Sequence, residues 1–173
     1  MPTDLHDLAA LLRQGLKLSM QGNYQRRAPA PDAIPHLNGA RTKLIEYAKA
    51  HPESADAWLL LSQAHEALLD YKSALSCLKR ALLLGKQGKS ELKRLARLEE
   101  ATEFWRRLPL TPEESRALEA YLASRVDVTS ADFRCTRTWL VQQGVRNPDA
   151  VVDQFRDLGA LSDVEILENI LRG

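Results

Sequence analysis

The sequence predicts an all-α protein: antiparallel helical hairpins followed by a C-terminal helical bundle. Three observations carry this. Leu and Ala dominate the apolar residues while aromatics make up only 6% of the chain, a composition that loses little on entering helices. Apolar residues recur every three or four positions along most of the sequence, the spacing that lines one helix face. Start and stop signals, including two capping boxes, punctuate the segments between.

The first helix is expected from about Asp4 to Met20, capped by Thr3, with Leu5, Leu8, Leu12, Leu16 and Met20 along one face and Gly22-Asn23 as its stop. In residues 25–37 (QRRAPAPDAIPHL), Pro29, Pro31 and Pro35 predict an extended loop, because each lacks an amide donor and restricts the residue before it. A second helix is expected over Asn38–Ala50, ending before Pro52. A third runs from Ser54 through Trp58, Leu61 and His65 to Leu69, and a fourth from Asp70 to Gly85. After the joint GKQGKS comes a long helix, Ser90–Arg107, with Leu92, Leu95, Leu98, Thr102 and Trp105 as its core face.

Thr111-Pro112-Glu113-Glu114 is a capping box with proline at the first helical position. A helix over Ala131–Gln143 follows, then helices opened by Asn147-Pro148 and by the box Ser162-Asp163-Val164-Glu165, with Gly144 and Gly159 at helix ends. This gives about nine helices, divided into repeats at 1–88 and a C-terminal region at 89–173, packed on those repeats.

Residues 4–85 also carry an internal repeat. With Trp58 at the fourth position of a unit of about 34 residues, Leu61 falls at the seventh, Ser62 at the eighth and His65 at the eleventh. Ala74, Leu78 and Ala81 then fall at the twentieth, twenty-fourth and twenty-seventh. Pro52 closes an earlier unit in the same phase, with Ala40 and Leu44 matching Ala74 and Leu78, and Tyr47 where Ala is usual. Further upstream, ALLRQGLKLSMQGNY places Gly15 at the small eighth position and Gln21-Gly22-Asn23-Tyr24 in the turn, the Pro-rich loop being an insertion. The pattern resembles the tetratricopeptide repeat. Small residues there (Gly15, Ser62, Ala74, Ala81) let paired helices approach, and large ones (Trp58, Leu61, Leu78) fill the space between pairs.

That resemblance implies a concave groove lined by the second, fifth, ninth and twelfth positions of each unit. These are Ala9, Leu12, Leu16 and Ser19, then Asp56, Leu59, Gln63 and Glu66. The groove would be apolar at one end and mildly acidic at the other, suited to an amphipathic helix or a basic-apolar segment. The Lys, Arg and Asn with which related repeats grip a terminal carboxylate are missing from these positions, so such a tail is not the expected ligand.

Chemistry is not conspicuous. His6, His36, His51 and His65 are scattered without metal-ligand spacing, and His65 reads as a packing residue. Cys77 and Cys135 make neither a disulfide scaffold nor a zinc site. The net charge of +1 gives no overall pull toward nucleic acid or anionic lipid, and acids are interspersed with the cations between Lys86 and Arg107. The N-terminus lacks the pattern of a secretory signal, and no segment has the length of a membrane span. A soluble, cytoplasmic protein without cofactor or metal is expected.

In the C-terminal half, DFRCTRTWLVQQG and DQFRDLGALSDVEILENI resemble a small bacterial family of unknown function. The matching residues are Arg134, Thr136, Trp139, Leu140, Gly159, Asp163, Glu165 and Asn169. The family's cysteines would fall at Thr129, Ser162 and Val164, none of them a thiol, which implies a structural or partner-binding role for this copy.

The expected function is therefore a non-catalytic interaction module holding a protein or peptide partner: an adaptor, a chaperone-like protein or an immunity-type protein, with self-association as a further possibility. The competing expectation is an enzyme or metal-dependent regulator with a site at Asp132, Arg134, Asp163 and Glu165.

Overall fold

A computed structural model of the chain describes residues 4–22, 27–126 and 131–173. Among them all regular structure is helical: α1 (Leu5–Leu18), α2 (Ala33–Ala50), α3 (Ala55–Ala67), α4 (Tyr71–Leu83), α5 (Lys89–Arg107), α6 (Pro112–Ala123), α7 (Arg134–Gln142), α8 (Pro148–Asp157) and α9 (Asp163–Glu165). The last helix continues through Ile166–Arg172 in wider π-helical turns. No helix of the described residues is long and apolar enough to cross a membrane.

The chain forms two compact units, Met1–Gln21 with Ala28–Arg106, and Gly22–Arg27 with Arg107–Gly173. The first reaches well past the Gly85–Gly88 joint at which the sequence places its boundary. The reason is that Leu98 and Ala101 of α5 join a buried cluster with Leu78 and Leu82 of α4.

Within the first unit α1 packs on α2, α2 on α3 and α3 on α4. One core cluster gathers Leu8 and Leu12 of α1, Leu37, Ala40 and Leu44 of α2, and Ala57, Leu61 and Ala64 of α3. The helix α5 keeps its backbone farther off and reaches the hairpin through side chains. Trp105 stacks near Tyr71 with ring centroids 6.0 Å apart, and Lys79 pairs with Glu99 at 2.9 Å. Of its expected core face, Leu98 is buried and Leu95 and Trp105 are partly so, but Leu92 is 52% exposed.

Helix two starts five residues earlier than the prolines predict. Pro35 lies in the first turn of α2, where backbone amides have no partner inside the helix, so its missing donor costs nothing there. Residues 27–30 carry no regular structure and Pro31–Asp32 turn into the helix, with Ala30 N–H donating to Ser19 O at 2.8 Å. The expected cap Thr3 and the turn residues Asn23 and Tyr24 lie outside the described residues. Asp4 caps α1 instead, accepting from His6 N–H at 3.4 Å.

Four helix ends follow one chemistry. After α4, α7 and α8, a glycine with positive φ (Gly85, Gly144, Gly159) lets the chain fold back, and the next amide bonds the carbonyl five residues earlier. Leu69 takes this position after α3, at φ 63°. A leucine in the left-handed region costs about 1–2 kcal/mol, which burial of its side chain in the second cluster offsets.

In the second unit α6 packs on α7 and on the C-terminal π-helical turns, α7 on α8, and α7 on α9. Leu118, Leu122, Leu140, Val152, Phe155 and Ile166 are fully buried there. The predicted starts appear, except that Glu165 reaches back to Leu161 N–H and not to Ser162, so the second box is not reciprocal. Thr111 and Glu114 form a reciprocal capping box, Asn147 caps α8 and Ser162 caps α9. The helix expected from Ala131 begins at Arg134 instead, because Asp132 is drawn into a bond with α9: Asp163 N–H donates to Asp132 O at 2.8 Å.

Candidate interaction surface

The small positions of the repeat pattern are where helices meet most closely. Ser62 is fully buried and its hydroxyl donates to Ala74 O across the α3–α4 pair at 2.8 Å. Ala74 and Ala81 have no exposed surface. In the α1–α2 pair Gly15 is buried, and a methyl added to it would lie 2.8 Å from Leu37 Cδ2. The large positions Leu61 and Leu78 are core residues. Trp58 is partly buried, its indole N–H donating to Pro52 O at 2.9 Å, so the ring clasps the turn before α3.

His65 is also buried, and its role is defined by the turn it faces. Its Nδ1–H donates to Asp70 Oδ2 at 3.0 Å, and Asp70 in turn caps α4 by accepting from Ser73 N–H. Burial holds the imidazole pKa below its ordinary value despite the neighbouring carboxylate, while hydrogen bonds from Ser73 hold the Asp70 carboxyl below its own. The pair is thus a neutral imidazole bonded to a carboxylate at neutral pH.

The eight expected groove positions divide into three kinds. Leu12 and Ser19 are corrections: Leu12 is 1% exposed, packed in the α1–α2–α3 core, and Ser19 is 5% exposed, its hydroxyl donating to Leu16 O. Neither lines an open surface, because α2 and the Pro-rich segment cover that side of α1. Asp56 and Glu66 are on the surface side but already paired. Asp56 meets Lys86 at 2.7 Å, and Glu66 takes Arg94 Nε at 2.7 Å together with the Arg97 guanidinium. The acidic character expected at that end is neutralised from within. Leu16 is 36% exposed, and Ala9, Leu59 and Gln63 are partly exposed, Leu59 leaning on the second core cluster.

Sequence reasoning missed Arg94. Its side chain is 13% exposed and reaches both Glu66 and the Ser62 hydroxyl, at 3.1 Å, locking α5 beside α3. Only its position on α5, one helical repeat after α3, could have suggested the pairing. Gln21 was likewise missed as a strut: its amide donates to Ala67 O at 2.9 Å, joining the end of α1 to the end of α3.

The C-terminal candidates turn out to organise helix starts. Asp163 is fully buried; its Oδ2 accepts from Cys135 N–H at 2.8 Å and its Oδ1 from Thr136 N–H at 2.9 Å and Thr136 Oγ1–H at 2.5 Å. It therefore satisfies the open amides at the start of α7 from another helix. Glu165 accepts from Leu161 N–H at 2.6 Å, and Arg134 pairs with Asp132 on the surface. Trp139 and Leu140, also among the resemblance residues, are buried, and Ser162 serves as a helix cap. Thr129 lies outside the described residues. Among the described residues no group of three or more His, Cys, Asp or Glu side chains is placed to hold a metal ion.

Both thiols are subdued. Cys77 is buried, which pushes its pKa up to about 11, and burial together with Asp163 raises that of Cys135. Arg172 bridges Glu119 at 3.1 Å and Glu168 at 2.9 Å, a largely enclosed ion-pair triad that ties the last turn to α6. Compared with protein-family models, curated proteins and solved structures, the chain matches none.

Proposed function

We propose that the first unit is a tetratricopeptide-like protein-interaction module that holds a peptide or partner helix along α1 and α3. The observation that carries the reading is the Ser62–Ala74 contact at 2.8 Å. It joins the eighth and twentieth positions of the repeat, the two that must be small if paired helices are to touch. Gly15 against Leu37 is the corresponding close approach in the first pair. The starts of α3 and α5, Ala55 and Lys89, are one repeat length apart, and α1 touches α3, which Arg94 and Arg97 link to α5. The charged outer face of α5 fits the polar cap that a terminal repeat needs to remain soluble.

With Leu12 and Ser19 withdrawn into the core, the partner-binding surface reduces to Ala9, Leu16, Asp56, Leu59, Gln63 and the Glu66–Arg97 edge. Such a surface suits an amphipathic helix with a narrow apolar stripe. Adaptor, chaperone-like and immunity-type roles all use it.

The test is site-specific photo-cross-linking from Leu16 and from Gln63 in extract of the native host, repeated with Gln63→Arg. A protein captured from both positions and lost in the variant supports the groove. Cross-links that arise only from exposed residues of the second unit, such as Val141 or Leu161, would overturn it.

A further inference from the structure

Part of the Pro-rich insertion is bound by the unit that carries it. Residues 28–30 belong to the first unit and have no regular structure, yet Pro29 is buried. Ala30 N–H donates to Ser19 O, just past the end of α1, at 2.8 Å. Ala28 packs against the second core cluster, which contains Leu69 and Tyr71. The ends of α1 and α3 meet in this region, Gln21 donating to Ala67 O at 2.9 Å, and Trp105 near the end of α5 lies beside Tyr71. The segment is therefore seated where the C-terminal ends of the helices of the proposed partner surface come together.

Two features mark this seat as releasable. The first is Met20, where the chain leaves α1 with φ 53°. Leu69 adopts the same left-handed backbone but is buried, whereas Met20 is 74% exposed and gains nothing from burial. Its conformation is held by the bonds of Gln21 and Ala30 on either side of the insertion, so release of the segment relaxes it. The second is Trp105 Nε1, which is shut away from solvent and has no acceptor. Trp105 packs on the same cluster as Ala28, and a buried donor without a partner is costly. The segment leaves that donor unmet.

We propose that residues 28–30 are an internal ligand that closes the C-terminal end of the α1–α3 surface, and that a partner binds there by displacing them. This rests on the interaction reading above and adds what keeps the surface closed and what opens it. The segment shows the chemistry the seat accepts: small apolar side chains, a proline ring to bury and an amide for Ser19 O. Ala and Pro lose almost no side-chain freedom on docking. A partner segment of the same kind, with a carbonyl for Trp105 Nε1, fits the seat better than the chain's own. The internal segment has the advantage of its tether, which gives an effective concentration on the order of millimolar. It therefore keeps the seat closed until a partner with further contacts at Leu16, Leu59 and Gln63 arrives.

The experiment compares the full-length wild type with the double variant A28E/A30P, which removes the apolar contact and the amide and leaves every residue of the seat unchanged. The probe is an acetylated peptide of residues 27–32, RAPAPD, titrated while the indole N–H signal of Trp105 is followed by nuclear magnetic resonance. The peptide is expected to bind the variant at least about tenfold more tightly than the wild type. It should also move the variant's Trp105 signal back toward the wild-type position. Both substitutions precede α2, so helical circular dichroism should be retained. A folded variant that does not take the peptide overturns the proposal, as does a wild type that takes it equally well. Native-state hydrogen exchange of the wild type tests the same point without a variant: as urea is raised, Ala30 N–H should exchange before Leu44 N–H inside α2. Exchange of both only on global unfolding overturns the proposal. Neither readout uses the native partner, so loss of the internal ligand is distinguished from loss of the partner surface, which cross-linking at Leu16 and Gln63 reads.

Discussion

Asp163 and Thr136 meet through two hydrogen bonds to one oxygen: Asp163 Oδ1 accepts both the backbone amide and the hydroxyl of Thr136, with the carboxylate shut away from solvent. The remaining oxygen takes Cys135 N–H. One buried side chain thus serves two amides at the start of a helix whose N-cap residue, Phe133, makes no side-chain bond, while Asp132 Oδ1 accepts from Arg134 N–H at 3.1 Å. Asp163→Ala would strand three donors in a site closed to water. The expected loss is about 3–5 kcal/mol, against about 1 kcal/mol for Thr136→Val, which removes only the hydroxyl bond. Urea melts followed by far-ultraviolet circular dichroism measure both. Equal losses would mean that the carboxylate matters only through Thr136.

Two glycines in neighbouring helices should respond with opposite signs. An added methyl at Gly15 would meet the Leu37 side chain at 2.8 Å and the Leu37 backbone nitrogen at 3.2 Å, and backbone cannot step aside cheaply. Gly15→Ala is expected to cost about 1–3 kcal/mol. Gly39 lies inside α2 with nothing within 4 Å of the same probe. Gly39→Ala should gain about 0.5–1 kcal/mol from helix propensity and a stiffer unfolded chain. Thermal melts of the two variants side by side decide the matter, and a stabilised Gly15→Ala would contradict the close α1–α2 approach.

These positions show what the sequence could and could not convey. Caps and stops were legible because they are local: Thr111 with Glu114, Asn147 before Pro148, Ser162 with Glu165, and the glycines at 85, 144 and 159 each involve residues a few positions apart. The break at Leu69 was placed, but not the left-handed backbone there, because burial of its side chain, a tertiary effect, sustains a conformation that leucine otherwise avoids. The start of α2 was misplaced by reading Pro35 as a breaker, when its effect depends on the turn of the helix in which it stands. Spacing along the chain pointed to Ser62, Ala74 and Gly15, since small residues in phase carry their own reason. It misassigned Leu12 because periodicity marks a face but not what covers it. The partners of Glu66 lie 28 and 31 residues away, beyond the reach of any local pattern.

The buried His65 makes the first unit sensitive to acid. Its pKa is lowered from 6.5 in the folded state, chiefly by burial, so on acidification the unfolded chain takes up the proton first. The stability it contributes is complete above about pH 6.5 and declines as pH falls toward the folded value. Asp70, also lowered, adds a second loss below its ordinary 3.8. Melting temperatures measured between pH 7.5 and 5 should fall for the wild type and fall less for His65→Gln. Parallel curves for the two proteins would remove His65 from the acid response.

Cys77 should report opening of the first unit. At a pKa of about 11 only about one thiol in a thousand is ionised at pH 8, and the side chain is buried as well. Iodoacetamide labelling of native protein read by mass spectrometry should modify Cys135 well before Cys77. Dilute urea should then accelerate labelling of Cys77 in step with the loss of helix. Rapid labelling of Cys77 under native conditions would mean that α4 opens locally against the rest of the unit.

The attachment of α5 rests unequally on its two arginines. Arg94 is 13% exposed and holds Glu66 through Nε while its Nη2 reaches Ser62; Arg97 is 46% exposed. Charge pairs open to water contribute little, but a guanidinium left buried without its carboxylate costs several kcal/mol. Glu66→Ala is therefore expected to destabilise the first unit by about 3 kcal/mol, and Arg97→Ala by no more than about 0.5 kcal/mol. Because α5 approaches the hairpin through side chains, that loss should appear first as detachment of the helix. Trypsin would then cut at Lys86, Lys89 and Lys93 sooner in Glu66→Ala than in the wild type, while fragments from α1 to α4 persist. Simultaneous digestion of all five helices would show instead that the Glu66–Arg94 pair governs the unit as a whole.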